Sequence, residues 1–328
     1  MTYQHLSFVE REELSVGLYS GDSLREIARQ LGRSPSTLSR ERRRNQIPEG
    51  YIAPQAHAQS ARRRTAAVRP QKLDQPELAA YVRRRLAETW SPEQIAGALP
   101  KAFPRKRRMR LSPETIYAWI WADKKAGGTL WKQLRQSHRR YRKRRGGKDM
   151  RGQIPGRVGI EKRPPGVARR RRLGHWESDT VEGARKRGYL ATHVERKSRY
   201  VFILKLPNKS AAAFNRATIR RFQKLPPQLR RTWTVDNGKE FAGFRAWEKR
   251  LGGRVYFARP YHSWERGLNE NTNGLLRQFF PKQMDLRKVS QKTVDKVERL
   301  LNTRPRKCLN YRTPAEVFLG RRGVALQI

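Results

Sequence analysis

The sequence predicts a multidomain chain, with all-α units at the N-terminus followed by an α/β domain built on a mixed sheet. Two observations lead there. Helix-start signals recur at Ser23, Ser34, Ser91 and Ser112, each ahead of apolar residues at helical spacing. From Gly174 onward the texture changes to alternating and continuous apolar runs bounded by turn residues, interleaved with helical periodicity.

Charge points to the partner. The chain carries 75 Lys plus Arg against 28 Asp plus Glu, a formal net charge of +47 over 328 residues. Such an excess goes beyond what solubility needs and calls for a polyanion, nucleic acid first. A basic membrane-surface protein would need an amphipathic helix or a long apolar span, yet the longest strongly apolar run is Val201–Leu204. No membrane partner is expected. The opening Met1 to His5 shows no secretory signal, and a single cysteine, Cys308, permits neither an internal disulfide nor a multi-cysteine zinc site. Both features fit a reducing cytoplasm, with association to the nucleoid if DNA is the partner.

Phe8 to Tyr19 carries a loose helical stripe of Phe8, Val9, Leu14, Leu18 and Tyr19 that stops at Gly21. Ser23, with Glu26 three residues on, reads as a capping box opening a helix whose inner face is Leu24, Ile27, Ala28 and Leu31. After Gly32, Ser34 caps a third helix with Pro35 at its first position. In that helix Leu38 points inward, while Ser36, Thr37, Ser39, Arg40 and Arg43 face out. This is the helix-turn-helix layout, whose second helix lies in the major groove, so those five residues are candidate DNA contacts.

After a linker rich in Arg, Ala and Pro comes a second, less regular copy. Ser91-Pro-Glu-Gln94 leads into Ile95, Ala96 and Leu99, and Ser112-Pro-Glu-Thr115 into Ile116, Tyr117 and Ile120. The connection from Pro100 to Leu111 is long and basic, with Arg107 and Arg108 as candidate phosphate contacts; a helical hairpin with a charged loop fits the pattern equally well. Leu134 to Arg172 is dominated by Arg, Lys, Gly and Pro. It reads as an extended linker along phosphates that builds no core, with its densest charge at Arg139 to Arg145 and Arg169 to Arg172.

His175 to Val181, Tyr189 to Val194 and Tyr200 to Leu206 then read as a meander of three strands. Ser210 to Phe222 is helical, Thr232 to Val235 a strand, Phe241 to Leu251 helical and Val255 to Ala258 a short strand, with helices to follow. That order is the order of the RNase H-like fold. On it, Asp179 falls inside the first strand, where a charge is disfavoured unless it serves something. Asp236 ends the fourth strand ahead of an Asn-Gly turn, and Glu270 lies after Gly267 in the first turn of a helix that buries Leu275, Leu276 and Phe279. Strand ends and a helix start can converge on one point. Spacing alone is weak evidence, because an isolated acid in so cationic a chain is usually a salt-bridge partner.

Several blocks resemble the catalytic core of insertion-sequence-thirty family transposases. They are His175-Trp-Glu-Ser-Asp179, Glu195-Arg-Lys-Ser-Arg-Tyr200, Thr234-Val-Asp-Asn-Gly-Lys-Glu-Phe241, Trp264-Glu-Arg-Gly-Leu-Asn-Glu-Asn-Thr-Asn-Gly274, Arg277-Gln-Phe-Phe-Pro-Lys282, Leu301-Asn-Thr-Arg-Pro-Arg-Lys307 and Arg312-Thr-Pro-Ala-Glu316. The N-terminal helix pairs resemble that family's end-binding region, so the likeness spans nearly the whole chain. It implies a DDE transposase with an RNase H-like core, in which Asp179, Asp236 and Glu270 match the metal-binding, catalytic triad. It divides the chain into a helix-turn-helix domain (1–60), a second helix-turn-helix-like DNA-binding domain (61–133), a basic linker (134–172) and the catalytic domain (173–328).

The residue types suit the chemistry. Two Mg²⁺ or Mn²⁺ ions about 3.5 to 4 Å apart can clamp the attacking and leaving oxygens of an in-line displacement at phosphorus, and both prefer carboxylate oxygens. The resemblance implies Asp179 as the bridging ligand, with Asp236 and Glu270 each holding one ion. Water would free a 3′-hydroxyl at the element's end, and that hydroxyl would attack a second phosphodiester. Neither a covalent protein intermediate nor an organic cofactor is needed. Tyr261, His262 and Arg259 cluster in the way a tyrosine recombinase would require, but nothing else supports that scheme. Glu240 and Glu265 are expected to be structural, and Arg277, Arg304, Arg306 and Lys307 to hold phosphates near the site. The expected partners are double-stranded DNA, as inverted-repeat ends and as target, and at least a second copy of the chain, since two ends must be joined. A DNA-binding regulator descended from a transposase, its core no longer cutting, is the competing reading, and the intact triad weighs against it.

Overall fold

The computed structural model describes residues 4–67, 71–135, 154–260 and 262–320. Contacts divide the chain into two compact units, Met1–Asp74 and Gln75–Ile328.

The first unit holds α1 (Phe8–Tyr19), α2 (Leu24–Gln30), α3 (Pro35–Asn45) and α4 (Ala53–Ala67). Ser7 and Glu10 cap α1 reciprocally, while Ser23 and Ser34 accept the backbone N–H groups of Glu26 and Thr37. Leu14, Ile27, Ala28, Leu38 and Ala56 are buried in one cluster. The sequence assigned the segment of α4 to a linker. Its Ala and Arg are strong helix formers, and the small Ala56 is enough to join the buried cluster, so a weakly apolar stretch still packs. On α3, Ser36, Ser39, Arg40 and Arg43 are exposed and Thr37 is half-buried.

The second unit opens with α5 (Pro76–Ala87), α6 (Pro92–Ala102) and α7 (Pro113–Lys125). Helix α5 also falls in the expected linker. Its Leu78, Val82 and Leu86 recur every four residues and are fully buried. Ser91 forms a reciprocal capping box with Gln94, and Ser112 caps α7. Arg139 to Arg145 lie outside the described residues. Residues 154–172 depart from the expected coreless linker: Ile154 and Val167 are buried, Gly159 bridges Phe257, and Arg163 donates to Thr234 Oγ1 at 2.9 Å. Composition averaged over the whole cationic stretch hides these two apolar anchors.

Gly174, at φ 96°, turns the chain into the sheet where an added Cβ would lie 2.4 Å from the Gln228 carbonyl oxygen. The strands β1 (His175–Glu182), β2 (Tyr189–Glu195) and β3 (Val201–Leu206) form the antiparallel meander. Helix α8 (Ala211–Phe222) leads to β4 (Thr232–Val235), and α9 (Arg245–Leu251) to β5 (Arg254–Phe257). The result is one mixed sheet of order β3-β2-β1-β4-β5, in which β1, β4 and β5 run parallel. Aromatic residues fill the face under α8 and α9, among them Trp176, Phe214, Phe222, Trp233 and Trp247. The opposite face packs Val181, Leu190 and Ile203 against α10 (Gly267–Leu276) and α11 (Gln291–Asn302). A short α12 (Pro314–Phe318) stacks Phe318 on Tyr200, with centroids 4.5 Å apart. Among the described residues no helix is long and apolar enough to cross a membrane.

Candidate active site

Sheet register brings the first two acids together. The parallel pairing of β1 with β4 ends at Glu177 opposite Thr234. Asp179 and Asp236 each follow two residues later, so both project where the two strands have just parted. Openings at the carboxyl ends of parallel strands are where α/β sheets place ligands. Because side chains alternate along a strand, Glu177, Asp179 and Val181 share one face of β1, the face covered by α10.

The Arg266 guanidinium lies between the two aspartates. Its Nη1 is 3.5 Å from Asp179 Oδ1 and its Nη2 3.1 Å from Asp236 Oδ2, and it also donates to the Ser178 carbonyl at 3.3 Å. Asn273 Nδ2 donates to Asp179 Oδ2 at 2.9 Å, while the Thr192 hydroxyl holds Asn273 Oδ1 at 3.1 Å. The Gly238 N–H donates to Asp236 Oδ1 at 2.8 Å. Burial pushes the Asp179 carboxyl up, Arg266 pulls it down and the Asp236 charge pushes it up again; the balance is above the usual carboxylate range.

Glu270 lines the same cleft of about 1090 Å³ as Asp179, Arg266, Asn273 and Arg277. Its helix is tied down by an acid the sequence reading did not single out. Glu177, buried and ion-paired with Arg196, accepts the backbone N–H of Asn269 at 3.1 Å in the first turn of α10. Arg266 lies in the Trp264–Gly274 stretch, where nothing in the sequence distinguishes it from the many other cations. Asn273 carried a usable signal, because three residues after Glu270 is the same helix face.

Among the described residues, no three His, Cys, Asp or Glu side chains stand close enough to hold one metal ion together. The donor set nevertheless fits a hard divalent cation, since it consists of carboxylate oxygens, two of which already share one positive charge in Arg266.

The remaining candidates scatter. Arg277 lines the cleft and donates to the Glu182 and Phe280 carbonyls. Arg304 and Arg306 line a neighbouring cavity. Lys307 pairs with Glu93 at 2.6 Å, and Arg107 and Arg108 are exposed on a short turn between α6 and α7. Glu265 is engaged by Arg259 at 2.8 Å and Glu240 by Lys209 at 3.4 Å. His262 contacts the Pro260 carbonyl at 2.7 Å, and Tyr261 lies outside the described residues.

Residues 2–45 match the family described as a helix-turn-helix domain, and residues 169–263 the one described as an integrase core domain. Asp179 and Asp236 fall inside the second match and Glu270 just beyond it. The chain is 43% identical to the transposase InsI for insertion sequence element IS30C of Escherichia coli, over 98% of this chain and 85% of that protein. It is 40% identical to the transposase for insertion sequence element IS1086 of Cupriavidus metallidurans, over 96% and 94%. Among solved structures, the catalytic core domain of BIV integrase matches 45% of this chain and 94% of its own, at 19% identity and a TM-score of 0.35.

Proposed function

Because the chain belongs to the insertion-sequence-thirty (IS30) family of transposases, we propose that it binds the inverted terminal repeats of its own element and catalyses their metal-dependent cleavage and strand transfer into target DNA. One observation carries the reading: Arg266 joins Asp179 and Asp236, delivered by two different strands, on a single positive charge in the cleft that Glu270 lines.

In this reading Asp179, Asp236 and Glu270 would hold the divalent ions, Mg²⁺ or Mn²⁺. Bound there, the ions supply Lewis-acid stabilisation for the charge that develops on the attacking and leaving oxygens. The chain's own residues prepare the ligands. Asn273 fixes one oxygen of Asp179, the Gly238 N–H fixes one of Asp236, and Glu177 holds the first turn of α10 against β1. Arg266 neutralises the facing aspartates. Arg277, Arg304 and Arg306 hold phosphates beside the cleft.

A first DNA reader lies within residues 1–60, where α3 presents Ser36, Thr37, Ser39, Arg40 and Arg43 to a groove. A second lies within 61–133, with Arg107 and Arg108 on the phosphate backbone. Joining two DNA ends in one event takes at least two copies of the chain, assembled on DNA in the nucleoid.

Purified protein, Mg²⁺ and labelled oligonucleotides carrying candidate inverted ends test this directly against Asp236→Asn. Wild type should cleave and join strands. The variant should lose at least about a hundredfold in rate, because even residues one layer outside a metal site cost ten- to a hundredfold, while keeping its melting temperature and DNA binding. Equal rates in the two proteins would remove Asp236 from the chemistry.

A further inference from the structure

Beside the catalytic cleft lies a second cavity of about 590 Å³ between α7 and the chain that follows α11. Thr89, Leu134, Arg135 and Gln278 line both spaces, so the two form one continuous surface. Four cations line the second cavity, Lys124, Arg135, Arg304 and Arg306, and among the described residues no carboxylate does.

Arg304 is only 1% exposed. Its hydrogen bonds go to neutral partners, Gln278 Oε1 at 3.0 Å and the Thr89 hydroxyl, and its Nε has none among the described residues. Arg306 donates to the Leu301 carbonyl at 3.3 Å, and its Nε too has no partner among the described residues. Burial and the neighbouring cations pull the two guanidiniums down to about 9 and about 10, which still leaves both charged at neutral pH. Guanidiniums desolvated without a carboxylate call for another anion.

Aromatic rings share the space. Tyr117 and Trp121, one turn apart on α7, stay 40% and 45% exposed, whereas Ile116 and Ile120 beside them are fully buried. Lys124 lies 5.0 Å from the Trp121 centroid and 4.7 Å from that of Trp131, yet Trp121 keeps nearly half its surface open. Open ring faces next to the buried Arg304 and Arg306 guanidiniums are the chemistry of a nucleotide out of its duplex, since only an unstacked base offers its face to another ring.

We propose that this cavity binds an unpaired nucleotide of the DNA strand held in the catalytic cleft, its phosphate against Arg304 and Arg306 and its base on Tyr117 and Trp121. The proposal rests on the transposase reading, because it takes DNA in the cleft as given. It adds that the DNA is locally unpaired beside the reacting phosphodiester.

The test compares a blunt duplex with the same duplex bearing a short single-stranded 3′ extension that carries 2-aminopurine, bound to the full chain at fixed salt. Wild type should prefer the extended DNA and quench the 2-aminopurine. Trp121→Ala should cut that preference by roughly fivefold or more, the scale of one lost base–ring stack, and abolish the quench. Trp121→Phe should keep most of both. Arg306→Gln should weaken the preference while retaining the quench at saturation. Melting curves matching wild type confirm that the variants fold.

If wild type binds neither DNA, the transposase reading itself fails. If it binds duplex with no preference for the extension, or if Trp121→Ala keeps preference and quench, only the nucleotide site is overturned. Displacement of the bound extension by a polyglutamate peptide, lost in Trp121→Ala and absent against blunt duplex, would assign the cavity to an acidic protein segment and also overturn it.

Discussion

Replacing Glu177 by Gln should cost the catalytic unit a large part of its stability. Glu177 is 1% exposed, and its partner Arg196 has a side chain only 6% exposed. Gln keeps the size and the acceptor but removes the charge, leaving a buried guanidinium without its ion-pair partner; Arg196 Nε already has no partner among the described residues. Breaking a buried ion pair from one side costs about 3–5 kcal/mol. The bond from the Asn269 N–H, now to a neutral acceptor, weakens by about 1 kcal/mol. Urea unfolding at neutral pH, followed by tryptophan fluorescence, should show a loss of about 4–6 kcal/mol at unchanged m-value. The double variant Glu177→Leu, Arg196→Met should recover most of it, because both desolvation costs disappear together. Cleavage should also slow under conditions where the single variant is fully folded, since the tie of α10, which carries Glu270, to β1 is weakened. A loss below about 1 kcal/mol, or a double variant weaker than the single one, would refute this account.

Two further outcomes follow. Arg266→Ala leaves facing carboxylates without their cation; it should destabilise the protein by about 1–3 kcal/mol, between the exposed and buried limits for an ion pair. Mn²⁺ should then raise its melting temperature more than that of wild type, because the ion no longer competes with a guanidinium, and equal shifts would remove the aspartates as a cation site. His193 is fully buried between the Ser178 and Thr218 hydroxyls, and burial pulls it down to about 3. With the folded value below the unfolded one of about 6.5, the unfolded chain takes up the proton first, so stability is complete above that pH and falls as pH drops toward 3. His193→Gln should flatten this acid limb, and an unchanged limb would assign it to other groups.

Strong periodicity made much of the fold legible. Helices α1 to α3 and all five strands lie within about two residues of their expected bounds, because each buries one regular face. The failures share a cause. In α4, and in residues 154–172, a few apolar anchors sit among many cations, and average composition conceals them. The helix expected over Phe241 to Leu251 starts only at Arg245, after a 3-10 turn over Lys239–Phe241. Apolar spacing fixes which residues face inward but not which hydrogen-bond pattern closes the turn.

The acids were legible as motifs, whereas their juxtaposition is a property of register. Trp176 opposite Trp233 and Glu177 opposite Thr234 set the parallel pairing, and packing of both tryptophans in the same aromatic core fixes it. A slip of one residue would turn Trp176 out of that core and rotate Asp179 to the other face of the sheet, away from Arg266 and Asn273. Hydrophobic burial therefore pins the geometry of the charged site. The two aspartates stay abreast although their like charges oppose it, because moving either one would expose a tryptophan. That arrangement leaves carboxylates facing each other with a cation between them, and it is the sheet core, more than the acids themselves, that keeps the site in place.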